Sequence, residues 1–318
     1  MSLRVPSLGS NQILYTICSA RQNNSKHQPS AEERMTKTQN LSNSKSHGLE
    51  VSSGERFSFG DNWARFLSVL DEQRIKEAEN SLKSMLEVSD LNGKSFLDIG
   101  SGSGLFSLAA KRLGAKVFSF DYDPKSVACT KELKRRYFEY DSDWIVEEGS
   151  VLDADYLKRL GKFDVVYSWG VLQHTGAMWS ALKNVDLNVA DNGKLFIALF
   201  NDQGRASKLW WVIKKSYVSC PKALRFLILI PCLIRIWGPT TIRDFVLLRP
   251  FSSWRNRKKI RGMSAYHDVV DWVGGFPFEV SKPEQIFEFY KSSGYELIKL
   301  KTCAGGKGNN EFVFQRKA

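Results

Sequence analysis

Three glycines at alternate positions, Gly100, Gly102 and Gly104, follow a short apolar run that passes through Asp98. Leu105, Leu108 and Ala109 then begin a helical pattern. A strand that turns through glycines into a helix presents bare backbone N–H groups to a ligand, and the helix N-terminus adds partial positive charge. A second chemical group sits about twenty residues on. Lys116–Phe120 reads as another apolar strand and ends at Asp121-Tyr122-Asp123-Pro124. Asp123 before Pro124 is a helix-start signal, which leaves Asp121 free at the strand end. A carboxylate there can accept hydrogen bonds from two adjacent sugar hydroxyls. The third candidate is His174, in the stretch Trp169 to Gly176 after the apolar strand Phe163–Ser168; an imidazole in a loop can take a proton from a reacting hydroxyl.

These groups need a scaffold that brings several strand ends to one edge. Alternation of short apolar runs with helical patterns predicts an α/β doubly wound, mostly parallel sheet. Further strands are expected at Trp144–Glu148 and Lys194–Asn201. Ser281-Lys-Pro-Glu284 reads as a capping box opening a helix that ends near Gly294, followed by strands Glu296–Thr302 and Glu311–Gln315. Trp63, Phe66, Leu67, Leu70, Ile75, Ala78, Leu82 and Leu86 mark amphipathic helices ahead of the first strand.

The glycine spacing separates two cofactor classes. A dinucleotide fingerprint needs a third glycine where this chain has Leu105, so nicotinamide binding is disfavoured. Asp98-x-Gly100-x-Gly102-x-Gly104 instead resembles class I S-adenosylmethionine-dependent methyltransferases, nearest to the ubiquinone-biosynthesis O-methyltransferase type, over about 60–200 and 280–316. The resemblance implies a Rossmann-like seven-stranded sheet with its last two strands as a hairpin, one of them antiparallel. It also implies S-adenosylmethionine as cofactor, held by Asp98, Gly100, Ser101, Gly102 and Gly104. Asp121 and Tyr122 would meet the ribose, Ser150 and Val151 the adenine, and Ser168 and Trp169 the far side of the cofactor. His174 falls where this type carries a loop histidine, and His267 is the reserve base. Trp63 and Phe59 belong to a segment that closes over the cofactor in such enzymes.

With 318 residues the chain has room for more than this core. The division expected is a disordered tail at 1–55, a cofactor-binding core at 56–202, a helical insertion at 203–279 and a closing helix and hairpin at 280–318. The net charge of +12 sits in the insertion: from Gln203 to Met263 there are fourteen Lys and Arg against one acid, Asp244. Within it, Lys222 to Trp237 is the most apolar stretch, roughly 24 Å as a helix and short of a membrane's hydrocarbon core. Trp210, Trp211, Trp237 and Trp254 beside these cations suit peripheral contact of 205–261 with an anionic membrane. A lid over the active site is the equal alternative, and phosphate pairing with RNA through Arg255 to Arg261 is the weaker one.

Five scattered cysteines show no metal-ligand spacing and suit a reducing, cytoplasmic setting. The acid-poor, Ser-rich start admits an organellar transit peptide, a plain tail, or a true start at Met35. The function expected is methyl transfer to a small-molecule or lipid-like hydroxyl, with RNA methylation or cofactor binding without transfer as alternatives. No metal is expected.

Overall fold

The computed structural model describes residues 46–255 and 265–318. The readings of residues 1–45, and of the basic run Arg257 to Arg261, lie outside these. A first helix, α1, covers 46–52, so the tail expected to reach residue 55 is helical over that part. His47 is the reason it has a place: its ring is buried, 5.5 Å from the Tyr122 ring and 3.7 Å from the Asp123 carboxylate.

Helices α2 (Gly60–Leu67) and α3 (Glu72–Leu86) follow. The side chain of Asp71 accepts from the Arg74 N–H and starts α3. Its buried residues Ile75, Ala78, Leu82, Met85 and Leu86 recur at helical spacing, and Glu87 ends it in the left-handed region. Then come β1 (Ser95–Ile99), α4 (Leu105–Arg112), β2 (Lys116–Asp121), α5 (Pro124–Phe138) and β3 (Trp144–Glu148). The chain continues through α6 (Ala154–Leu160), β4 (Phe163–Trp169), α7 (Met178–Val185) and β5 (Val189–Phe200). The insertion contributes α8 (Arg205–Ser219), α9 (Phe226–Val246) and α10 (Ala265–Gly274). Helix α11 (Pro283–Ser292) and strands β6 (Tyr295–Lys301) and β7 (Asn309–Arg316) close the fold.

The strands form one seven-stranded sheet in the order β3-β2-β1-β4-β5-β7-β6, with β7 antiparallel to both neighbours. Side chains alternate between its faces with period two. Leu97 and Ile99 of β1, and Leu195, Ile197 and Leu199 of β5, join the core on one face. Phe96 and Phe196 from the same strands join the core on the other. Full burial of each such side chain stabilises the fold by about 1.5–3 kcal/mol. The insertion builds a third, smaller core from Trp210, Tyr217, Leu229, Val269, Val273 and Phe278.

Strand order reverses between β1 and β4, and at such a point the strand ends leave a crevice for a ligand. Two local readings change. Helix α11 is started by Lys282, whose N–H donates to Gln285 Oε1 at 2.9 Å, while Ser281 bridges to Asn201 instead. The apolar helix of the insertion does not stop at Trp237. It contains both Pro231 and Pro239 and runs to Val246, so Lys222–Val246 is long and apolar enough to cross a membrane by length and composition. Gly238-Pro239-Thr240-Thr241 reads as a stop by propensity, but the helix continues through it.

Candidate active site

The ends of β1, β2 and β4 open into a cavity of about 1280 Å³. Gly100 and Gly102 lie in its wall with φ of +78° and +57°, a region that suits glycine. A Cβ at Gly100 would stand 2.4 Å from Val171 Cγ1, and one at Gly102 3.1 Å from the Trp63 indole. The turn is therefore pressed between the β4 loop and α2, with its backbone toward the cavity. Gly104 differs: a Cβ there would meet the Thr130 backbone of α5 at 2.9 Å, and it does not line the cavity. Its bare Cα lets α4 and α5 pack closely there.

Asp121 completes the turn. One carboxylate oxygen accepts from the Gly102 N–H and the other from the Asp123 N–H, both at 2.9 Å. The Tyr122 N–H also donates to this carboxylate, which still leaves it accepting capacity for a hydroxyl. Burial pushes its carboxyl up to about 6, opposed by those backbone donors and helped by the Asp123 charge. Asp98 lies deeper, and burial raises it to about 7, with the nearby Asp121 charge adding to the shift. A buried relay steadies it: Trp144 Nε1 donates to Ser119 Oγ at 3.0 Å, Ser119 to Ser107 Oγ at 2.8 Å, and Ser107 to Asp98. Asp123 accepts from the Gly60 and Lys125 N–H groups, so it does cap α5 and also anchors α2.

Ser101, Tyr122, Ser150, Val151, Trp169 and His174 line the same cavity, as the sequence leads one to expect. Ser168 does not. It is fully buried and its hydroxyl donates to the Ile99 carbonyl at 3.1 Å, tying β4 to β1. His267 lies in α10, and its side chain is outside the described ones.

His174 Nδ1 is 2.7 Å from the Pro277 carbonyl oxygen. A carbonyl only accepts, so Nδ1 carries the proton and Nε2 the free lone pair. Burial lowers the imidazole to about 3, and the charges of Lys214 and Arg56 add to the effect. Phe59 and Phe200 flank the ring at 5.0 and 5.2 Å. Arg56 holds the loop from outside, donating to the His174 and Thr175 carbonyls while paired with Glu50, which also accepts from the Tyr122 hydroxyl at 2.9 Å. Thus α1 and the segment after it clamp the histidine loop to the β2 end. Phe59 and Trp63 do reach the cavity.

The side beyond His174 was legible only through the 265–278 stretch, whose Asp268, Asp271 and Trp272 read as candidate acceptor-pocket residues and do line the cavity. Lys214 of α8 is fully buried, donates to the Trp272 carbonyl, and sits 4.2 Å from the Trp272 ring and 4.8 Å from Phe278. Burial lowers its ammonium to about 7. Four side chains in the cavity wall have buried polar atoms without a partner: both amide atoms of Gln173, Asn309 Oδ1, Trp272 Nε1 and the Tyr167 hydroxyl. Each such atom costs about 1–3 kcal/mol when left unpaired, so a ligand that pairs them gains that much back. Gln173 adjoins the histidine in sequence, but nothing marks Lys214 or Asn309 in advance. Among the described residues no group of three His, Cys, Asp or Glu is placed to hold a metal ion.

Residues 70–220 match a family model described as a methyltransferase domain. That stretch, just under half of the chain, is similar to a methyltransferase domain. Over 134 residues it is 26% identical to a ubiquinone biosynthesis O-methyltransferase of Pelagibacter ubique, covering 42% of this chain and 50% of that protein. Over 71 residues it is 39% identical to a ribosomal protein L11 methyltransferase of Methylococcus capsulatus, covering 22% of this chain and 24% of that protein. The matches thus span half or less of these relatives' own length. Among solved structures, magnesium protoporphyrin IX methyltransferase of Synechocystis with bound SAH aligns with a TM-score of 0.44 at 14% identity, over 76% of this chain and 83% of that one. The matched stretch holds the glycine turn, strands β1 to β5 and α8, and ends before α9.

Proposed function

We propose that the chain transfers a methyl group from S-adenosylmethionine to a hydroxyl oxygen of a small, largely apolar acceptor. The observation that carries this reading is the shared cavity: the glycine turn and Asp121 stand at one side, and His174 with the unpaired polar atoms stands among aromatic rings at the other. Bound at the first side, S-adenosylmethionine supplies an electrophilic methyl group on a sulfonium sulfur. Asp121 would hold the ribose hydroxyls with its spare lone pairs, and the backbone around Gly100 to Gly102 would approach the amino-acid part. The carboxylates of Asp98 and Asp121 favour a cationic donor over a neutral one. Ser150 and Val151, which line the same cavity, would meet the adenine.

The acceptor then needs orientation and removal of one proton. Phe57, Phe59, Phe200 and Trp272 give it apolar walls, and the amides of Gln173 and Asn309 give it a few directional partners. His174 Nε2 accepts the hydroxyl hydrogen bond and takes the proton as the oxygen attacks. Arg56 and Lys214 disfavour a lasting imidazolium, so the proton passes on to water as the product leaves.

The test is transfer of labelled methyl from S-adenosylmethionine to a panel of apolar phenols and alcohols, with RNA as the rival acceptor. Methylation of the apolar hydroxyls that is lost on their removal supports the reading. Methylation of RNA alone, or none with saturating donor bound, contradicts it.

A further inference from the structure

Helix α9 has two unlike faces. Its inner side carries the buried Leu229 and Cys232, and Ile236 and Trp237 line the cavity. Its outer side is apolar and uncovered: Phe226, Leu227, Ile230, Ile234, Ile242 and Phe245 are all exposed, Ile234 at 64%. The surface continues into the turn that follows, where Leu248 is 89% exposed, and is joined by Leu209 and Val212 of α8. Isolated exposed apolar side chains are ordinary, but a contiguous run of this extent marks an interaction surface.

Charge says what covers it. Lys208, Lys215, Lys222, Arg235, Arg243 and Arg249 are exposed around this surface, and the segment's single acid, Asp244, is buried and held by the Ser253 N–H and hydroxyl. An apolar stripe edged by cations with almost no exposed acid fits the boundary between anionic headgroups and acyl chains. At 21 residues α9 is about 31 Å long, enough to span. Its N-terminal half, however, packs through Ile228, Leu229, Cys232, Leu233, Ile236 and Trp237 against Trp210, Tyr217, Val269 and Val273. Crossing the bilayer would strip away that core, so the helix fits along the membrane plane and not through it.

We propose that the outer face of α9, with the turn at 247–251 and the adjoining side chains of α8, docks in the plane of an anionic membrane leaflet. The helix that walls the acceptor side of the cavity then rests on the membrane, and the acceptor is a lipid-soluble molecule that reaches the cavity from it. The second half of this proposal rests on the apolar-acceptor reading above.

The experiment is flotation of the full chain with vesicles of phosphatidylcholine alone and of phosphatidylcholine mixed with phosphatidylglycerol, without donor or acceptor. The expected result is strong binding to the mixed vesicles, weaker binding to the neutral ones, and a fall with added salt. Ile230→Glu with Ile234→Glu should reduce partitioning by at least about tenfold, since two buried side chains are lost from the contact. Leu248→Asp, in an exposed turn, should weaken it in the same direction without risk to the core. Binding of S-adenosylmethionine to each variant, read by calorimetry, reports that the fold is intact. Absence of binding to the mixed vesicles overturns the proposal. So does undiminished binding of Leu248→Asp and the double variant, or a stable dimer of the wild type that the double variant dissolves. Because flotation needs no turnover, its failure is separable from failure to methylate an apolar hydroxyl.

Discussion

His174 Nδ1 lies 2.7 Å from the carbonyl oxygen of Pro277, which leaves Nε2 as the unprotonated nitrogen on a ring that lines the cavity. The insertion's last loop therefore sets the tautomer of a residue that belongs to the β4 loop. With its imidazole lowered to about 3, the histidine is neutral across the working range and acts as an acceptor without a pH switch of its own.

Replacing His174 by Gln keeps a hydrogen-bonding group but loses the basic nitrogen. Turnover should fall about 10²–10⁴-fold, the usual worth of a positioned acid–base group. Donor affinity should stay within about twofold. Equal loss of donor affinity and turnover would make the ring a cofactor-shaping residue only.

Lys214 is the titrating group near that histidine. Its ammonium is lowered to about 7 by burial, so it is charged below that pH and neutral above. The charge opposes transient protonation of His174, so turnover should rise as pH increases through about 7. Lys214→Met should flatten this rise in the pH–rate profile. The same shift affects stability: the folded state binds fewer protons than the unfolded one between about 7 and the ordinary lysine value. Stability from this group therefore grows as pH rises through that window.

Asp121 and Asp98 titrate at about 6 and about 7. Protonation removes the negative charge that attracts a cationic donor. Affinity for S-adenosylmethionine should weaken as pH falls from about 7 to 5, while these two carboxyls contribute growing stability over the same range, because the folded state holds more of their protons than the unfolded, against an opposing loss from His174, whose folded ring stays unprotonated there. Calorimetric titrations at several pH values read the first, and denaturant midpoints the second.

Gly100→Ala tests the turn itself. Its φ of +78° penalises a side chain by about 1–2 kcal/mol, and Val171 at 2.4 Å must also move. The melting temperature should drop by several degrees, and donor binding should weaken with it. Gly93→Ala, at φ +71° with nothing near its Cβ, should cost only the backbone part and leave donor binding alone.

The sheet was legible because each strand is an apolar run whose neighbours along the chain alternate with amphipathic helices. The cofactor side was legible because glycine spacing and one strand-end carboxylate report backbone geometry directly. Ser168 and Gly104 show the limit: adjacent positions in the same motif face different ways, and only packing against Ile99 and Thr130 decides which reach the cavity. The acceptor side was barely legible. Lys214 and Trp272 lie 58 positions apart in helices whose patterns carry no chemical signature, and Gln173 and Asn309, farther apart still, come from the β4 loop and β7. The clamp of Arg56 on the His174 loop spans 118 positions and is completed by Glu50, in the stretch that composition alone assigns to a tail.

The central claim is that Asp121 and the glycine turn hold S-adenosylmethionine. The measurement that tests it most directly is calorimetric titration of wild type and Asp121→Ala with S-adenosylmethionine and, separately, with NADH. The account predicts saturable binding of the methyl donor by the wild type, weakened about 10- to 100-fold in Asp121→Ala by loss of charge-assisted hydrogen bonds, and no binding of NADH. Absence of donor binding in the wild type, or NADH binding in its place, would contradict it.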